Sequence, residues 1–292
     1  MNEGMILVAD SGATKTDWCF VKGEALTGRK QTSGINPFHL SEEDMLSVLE
    51  KELVPELPAS PESFSAIYFY GAGCIPQQGI RVYKVLSQVF RSAEIAVESD
   101  LTGAARALFG NRKGVACILG TGSNSGLYDG WKITSNVPPL GYVLGDEGSG
   151  AYLGKRFVGN CLKGIFPDDL CSDLLESLNL TMPQLLDRVY RRPQANRFLA
   201  SVAPIIYRHK ERPEVKVFLS DCFGQFFLRN VLQYEHFSPE AEGERLLVSF
   251  VGSVAWFFQG EIEESARSFG LQIGRFLKEP LPDLVKYHLS GF

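Results

Sequence analysis

One pattern occurs twice in this chain, and it restricts the fold more than any single residue does. Residues 5–33, "MILVADSGATKTDWCFVKGEALTGRKQTS", read as an apolar strand, a turn of small residues, an alternating strand, a turn at Gly23 and a third strand. Residues 114–135, "GVACILGTGSNSGLYDGWKITS", repeat that pattern about 110 residues later. Each opening is followed by helices and further strands, which predicts an α/β fold of two related domains with a ligand cleft between them. The expected domains are 1–112 and 113–292, the second carrying a helical insertion, with the last helix packing back on the first domain.

The remaining elements follow from local signals. "SEED" from Ser41 predicts an N-cap with acids in the first turn, and a helix to about Pro55. Strands are expected at 64–73 and 93–99, and helices at 79–92 and 100–110. The middle reads as helices over 149–164, 169–179, 182–191, 194–209 and 213–235. A strand over 244–250, one helix over 251–269, a strand over 271–277 and a short helix over 282–290 complete the chain.

Composition narrows the function class. The formal net charge is −5 and the pI about 5.5, with no dense basic patch, so no nucleic-acid partner is expected. The most basic stretch, "VYRRPQANR" at 189–197, reads as a solvated surface. Six scattered cysteines form no CxxC and no zinc spacing, which fits a reduced, cytoplasmic protein. "MNEGMILVAD" lacks the layout of a signal peptide, and no apolar run reaches the roughly 18 residues of a membrane span.

The two turns carry the candidate chemistry. In "ADSGATKTDW", Asp10 ends a buried strand and Ser11, Gly12, Ala13 and Thr14 make a turn whose backbone N–H groups can face phosphate oxygens. Thr14 and Thr16 add hydroxyls, Lys15 adds charge, and Asp10 stands where a carboxylate can organise Mg²⁺. "LGTGSNSG" brings Gly120, Thr121, Gly122, Ser123 and Asn124 into a second turn of the same kind. Neither matches the dinucleotide fingerprint or the Walker loop. An ordinary polar hairpin explains either turn alone; two such turns, one opening each half, suit a polyphosphate gripped from both sides. In "LLVSFVGSVAWFF" a strand runs into Gly252 and Ser253 at a helix start, where Gly252 allows a flat ligand close approach to the backbone.

The carboxylates are less decided. Asp100 sits between a strand and a helix, so it is an N-cap, a base accepting a substrate proton at a strand's carboxyl end, or both. Glu98 is the weaker alternative. "GYVLGDEGSG" pairs Asp146 with Glu147 among glycines. Neighbouring side chains diverge on a strand or a helix, so the two need not act as a dyad. Glu147 is expected in the first turn of the helix that follows, opposing its dipole, and Asp146 is free to meet substrate hydroxyls.

Together these segments resemble the actin, hexokinase and heat-shock ATPase superfamily. "DSGATKTDW" and "LGTGSNSG" resemble its two phosphate motifs, "SDLTGAARAL" its first connecting segment and "LLVSFVGSVAWFF" its adenosine motif. "GYVLGDEGSGAYLG" is similar to the N-acetylglucosamine kinase-like branch, within the group that also holds the ATPase activators of the benzoyl-CoA reductase type. The resemblance implies two ribonuclease H-like, actin-type α/β domains and an ATP-dependent sugar kinase acting on the 6-hydroxyl of N-acetylglucosamine or a close amino sugar.

By motif, the resemblance makes Asp100 the base and Asp10 the Mg²⁺ organiser. Gly12, Thr14, Thr16, Gly120, Thr121, Gly122 and Ser123 would hold the ATP phosphates, and Gly252 and Ser253 would border the adenosine. Asn36, Ser123, Asn124 and Asp146 would hold the sugar. A small-molecule sugar is the expected partner, and a homodimer is left open. Ser11 and Ala13 depart from the usual glycines of the first motif. An alternative is an ATP-hydrolysing activator or sensor acting on a protein partner, a branch that uses paired cysteines no pair here supplies; another is a member that binds sugar without turnover.

Overall fold

The computed structural model describes residues 4–12, 14–234 and 246–290. It divides into two compact units. The first comprises Met1–Arg112, Gly130–Lys132 and Glu279–Phe292; the second comprises Lys113–Asp129 and Ile133–Lys278.

The first unit is built on a five-stranded sheet ordered β3-β2-β1-β4-β5. Its strands are β1 (Met5–Ser11), β2 (Lys15–Lys22), β3 (Ala25–Ser33), β4 (Phe64–Gly71) and β5 (Glu94–Ser99). β1 is antiparallel to β2 and parallel to β4, and β4 is parallel to β5. Ser11, Gly71 and Ser99 lie in register, so the turns after β1, β4 and β5 emerge at one edge of the sheet. Ligands bind at that carboxyl edge in open α/β sheets.

Helix α1 (Glu42–Val48) starts as expected: Ser41 Oγ accepts from Asp44 N–H, and Asp44 completes the capping box. Helical structure continues to Glu56 through a wider turn at Leu49–Leu53 and a tighter one at Val54–Glu56. α2 (Pro76–Val89) starts three residues before the expected 79, because Pro76 is preorganised for a first helical turn. Trp18, Phe20, Phe69 and Leu86 fill the core beside these helices, and Trp18 Nε1 donates to Thr32 Oγ1 at 2.9 Å.

α3 (Asp100–Phe109) is buried along nearly its whole length. A Cβ on Gly103 would lie 2.9 Å from the Tyr70 ring, so the glycine sets how closely α3 meets β4. The terminal helix α13 (Leu281–Leu289) packs on α3, β1 and β2. There His288 Nε2 and Tyr70 Oη lie 2.8 Å apart, and Arg106 donates to Tyr70 Oη at 2.9 Å. Burial pushes His288 down to about 4, so its ring is neutral at pH 7.

The second unit repeats the sheet, ordered β10-β9-β6-β7-β8. Its strands are β6 (Gly114–Leu119), β7 (Ser123–Tyr128), β8 (Ile133–Ser135), β9 (Val248–Val251) and β10 (Ile273–Leu277). Read from the other side, this is the order of the first sheet, strand for strand and with the same directions. The expectation of two related α/β folds is met.

Between β8 and β9 lie α4 (Gly141–Leu144), α5 (Gly150–Leu162), α6 (Asp168–Leu178), α7 (Met182–Tyr190), α8 (Ala195–Ala200), α9 (Ala203–Arg208) and α10 (Pro213–Arg229). Two helices expected to be continuous are broken. The 194–209 segment interrupts at Ser201–Val202, where Pro204 suits the first turn of a new helix and not a helix interior. The 251–269 segment forms α11 (Ser253–Phe257) and α12 (Gln259–Arg267), parted at Phe258. The expected ends at 235 and 244–245 lie outside the described residues.

Phe157, Phe166, Phe218, Phe226 and Phe250 are buried at the centre of this unit. A Cβ on Gly154 of α5 would sit 1.9 Å from the Leu199 carbonyl of α8, so these helices approach backbone to backbone. No described helix is long and apolar enough to cross a membrane.

Candidate active site

In the first unit, the structure brings Asp10, Gly12, Thr14, Thr16, Asn36 and Asp100 to the carboxyl edge of the sheet or the turns beside it. Asp100 is not the N-cap of α3. Ser99 is: its Oγ accepts from Thr102 N–H at 3.1 Å. Asp100 occupies the first helical position, where its Oδ1 accepts from Leu101 N–H at 2.9 Å. Capping duty is therefore met by a neighbour. Burial raises the Asp100 carboxyl above its usual range, against the lowering effect of that backbone bond.

Asp10 is raised to about 7, by burial first and then by the charges of Asp100, Asp17 and Glu279; Lys15 alone opposes them. Lys15 is itself paired to Asp17 at 2.8 Å. A half-buried acid in so negative a field suits a cation. Among the described residues no group of three or more His, Cys, Asp or Glu side chains forms a metal cage. Mg²⁺ needs none, since it takes one or two carboxylates with phosphate and water oxygens. Asp10 fits that use.

Thr16 does not occupy the place expected of it. Its side chain is fully buried, 2.7 Å from Ser11 Oγ, donating to Ser33 O and accepting from Ile35 N–H. That hydroxyl braces the turn from the interior side. Ser11, which replaces a glycine, works the same way and donates to Ile35 O. Gly12 N–H is also used, closing the turn on Lys15 O at 2.9 Å, while Thr14 is exposed. Ala13 lies outside the described residues. Asn36 is buried, and its Oδ1 accepts from Phe38 N–H at 2.9 Å.

In the second unit, Asp146 and Glu147 part company. Asp146 adopts a left-handed backbone (φ 53°), and its N–H donates to Pro139 O at 2.9 Å. Its carboxylate lies against Gly122 and accepts from Ser123 N–H. Burial raises it to about 6, with the Ser123 bond opposing and Glu147 adding to the rise. Glu147 is not in a first helical turn: α5 begins at Gly150 behind the N-cap Ser149. It is buried instead, 3.5 Å from Asn230 Nδ2 and 3.9 Å from Arg229 Nε, and so anchors the loop to the end of α10. Asn124 Oδ1 accepts from Ser125 N–H and Asn136 Nδ2, both at 2.9 Å.

A cavity of about 420 Å³ opens in this unit beside the second turn. Gly120, Thr121 and Ser253 line it, as the motifs imply; Gly122, Ser123 and Gly252 do not. Gly252 (φ 120°) is required by the backbone itself, since a Cβ there would sit 2.4 Å from Leu119 O. Gly120 is the reverse case. Its N–H closes the turn on Gly122 O, and a Cβ there would meet nothing within 4 Å. Gly120→Val is therefore expected to leave stability within about 1 kcal/mol and to weaken nucleotide binding at least about tenfold. Gly252→Ala is expected to cost about 3 kcal/mol through strain and overlap. Thermal melts with ADP calorimetry read both; equal destabilisation by the two substitutions would contradict this division.

Of the rest of the cavity wall, Val254, Phe257 and Phe258 lie in the segment that resembles the adenosine motif, while Arg197 and Tyr207 were not read as site residues. Arg197 closes the basic stretch read as solvated surface and is its half-buried end, at the cavity wall. The signal available was Pro204, which breaks the helix and turns its two halves around the opening.

No family model matches the chain, and a search of curated proteins finds no match. Solved structures do match. A candidate N-acetylglucosamine kinase from Porphyromonas gingivalis is 43% identical, with 98% of this chain and 99% of that one covered and a TM-score of 0.92. One from Chromobacterium violaceum, at 17% identity, covers 98% and 99% with a TM-score of 0.72. The ethanolamine utilization protein EutJ from Carboxydothermus hydrogenoformans, at 14% identity, covers 98% and 90% with a TM-score of 0.50. The last two speak to the fold alone; the first also carries sequence over almost the whole of both chains. The chain belongs to the N-acetylglucosamine kinase-like family of the actin, hexokinase and heat-shock ATPase superfamily.

Proposed function

We propose that this protein is an ATP-dependent carbohydrate kinase that transfers the γ-phosphoryl of ATP to the 6-hydroxyl of N-acetylglucosamine or a close amino sugar. The observation that carries the reading is the full-length 43% identity to a candidate kinase of that sugar. The geometry of Asp100 is compatible with it.

In this reading Asp100 accepts the proton of the 6-hydroxyl as its oxygen attacks the γ-phosphorus. The bond from that phosphorus to the β-phosphate bridging oxygen breaks, ADP departs, and Asp100 later returns its proton to water. A raised carboxyl is the better base, provided it is ionised. Asp10 would hold Mg²⁺, which would supply charge neutralisation to the phosphates. Thr14 and the turn Gly120–Ser123 hold the phosphates, and Ser253 borders the nucleoside. By the resemblance, Asn36, Ser123, Asn124 and Asp146 hold sugar hydroxyls. In this reading the segment 1–112 serves sugar and phosphate, and the segment 113–292 serves the nucleotide and further sugar hydroxyls.

ADP release in the presence of Mg-ATP tests the reading. It should rise at least about a hundredfold on adding N-acetylglucosamine, the scale of acceptor-dependent transfer. ATP hydrolysis at one rate with and without any sugar would favour the ATPase-activator alternative. The alternative calls for accessible paired cysteines, whereas Cys19, Cys74, Cys117, Cys161 and Cys222 are buried and Cys171 is half-buried.

A further inference from the structure

The loop that presents Asp146 is strained, and its apolar side chains do little to hold it. Leu140 (φ 62°) and Asp146 (φ 53°) both take the left-handed backbone, which a residue with a Cβ disfavours. Leu140, Val143 and Leu144 are 62%, 68% and 74% exposed, so burial of these three does not offset that strain. Such conformations persist where the surrounding contacts over-determine them.

Hydrogen bonds supply those contacts. Within the loop, Gly145 N–H donates to Gly141 O at 2.8 Å and Asp146 N–H donates to Pro139 O at 2.9 Å. Past the acid, Ser149 N–H donates to Asp146 O at 3.1 Å, and Glu147 ties the chain to the end of α10. Ahead of the acid the tie comes from α5, where Lys155 Nζ donates to Tyr142 O of α4 at 2.7 Å. A bond from an ammonium is charge-assisted and stronger than a neutral one. The ammonium also lies 5.4 Å from the Tyr152 ring centre, a cation–π contact on its own helix. Two charged groups act on the Asp146 carboxyl: Glu147 raises it and Lys155 lowers it.

Resting on the sugar-holding role read for Asp146, we infer that Lys155 is a positioning residue of the acceptor site. It fixes the loop 139–146 through Tyr142 O, and so sets where the Asp146 carboxylate meets sugar hydroxyls. The charge that fastens the loop also favours the ionised carboxylate, the form that only accepts hydrogen bonds.

The test uses the full-length protein with Lys155→Met, which keeps the side chain's length without its charge, and Lys155→Arg, which keeps charge and donors. The first readout is a ¹³C NMR titration of the Asp146 carboxyl in the ligand-free protein, its signal assigned by its loss in Asp146→Asn. The parent should titrate at about 6 and Lys155→Met higher, because an opposing positive charge is gone. Lys155→Arg should titrate as the parent does. The second readout is N-acetylglucosamine affinity by calorimetry, with steady-state kinetics. Lys155→Met should weaken the sugar and raise its KM at least about fivefold, with kcat within about threefold, and Lys155→Arg should restore both. A merely structural role would lower the melting temperature without moving the titration or splitting KM from kcat. An unmoved Asp146 titration in Lys155→Met overturns the proposal, as does an unchanged affinity where the parent binds the sugar. If the parent binds no sugar, the role read for Asp146 fails on its own. The titration then still decides the positioning, together with amide exchange at Gly145 and Asp146, which should quicken about tenfold in Lys155→Met.

Discussion

Asp100→Asn is expected to lower kcat by about 10²–10⁴-fold, the usual contribution of a positioned general base. The affinity for ADP should stay within about threefold, because the cavity assigned to the nucleotide is lined by second-unit residues. The fold should survive. Asn keeps the shape of the side chain at the first helical position, and Ser99 continues to cap α3. Ser99→Ala makes the contrast: it removes the cap and should cost about 1 kcal/mol of stability with a far smaller loss of turnover.

Burial holds the Asp100 carboxyl above the ordinary aspartate range. The acid limb of the pH–kcat/KM profile should therefore lie higher than an exposed aspartate would place it. Near-normal turnover in Asp100→Asn would remove this residue from the role of base.

The second large effect runs in opposite directions for stability and activity. Asp10 has a folded-state value of about 7 against a usual 3.8. Between those values the unfolded chain has released this proton while the folded protein still holds it, so stability falls as pH rises through that window. Above pH 7 both states are ionised and the loss is complete. Asp10→Asn removes the buried charge. We expect the ligand-free variant to be more stable than the parent by about 2 kcal/mol at pH 8, discounted because Asp100 shares the interaction, and equal to it near pH 4. The same variant should lose stabilisation by Mg²⁺ with nucleotide and at least about a hundredfold in kcat. Melting curves from pH 4 to 8, with and without Mg-ADP, check both. A variant less stable than the parent at pH 8 would contradict the account of Asp10.

How much of this was readable from the chain depends on what kind of signal each residue leaves. The two sheets were readable because strand, small-residue turn and strand alternate in the same way at 5–33 and 114–135. The placement of Asp10, Asp100 and Gly120 at strand ends was readable, and strand ends in such sheets are where ligands bind. Thr16 was not. A hydroxyl beside a turn looks the same in sequence whether it faces solvent or, as here, Ser11 and Ile35 in the interior. Asp100 was misplaced by one position as a cap, because Ser99 and Asp100 are both good N-caps and only the backbone decides between them. Glu147 was assigned to a helix dipole because the sequence does not show that α10 brings Asn230 and Arg229 to it. Tyr207 went unnoticed because an aromatic residue at a cavity mouth follows the same pattern as a core residue.

Incubation of the protein with Mg-ATP and a panel of hexoses and amino sugars, with ³¹P and ¹³C NMR of the products, tests the central claim. The account predicts one phosphorylated product, N-acetylglucosamine or a close amino sugar carrying the phosphate on its 6-oxygen, and its loss with Asp100→Asn. No ATP-dependent sugar phosphate from any member of the panel would contradict it.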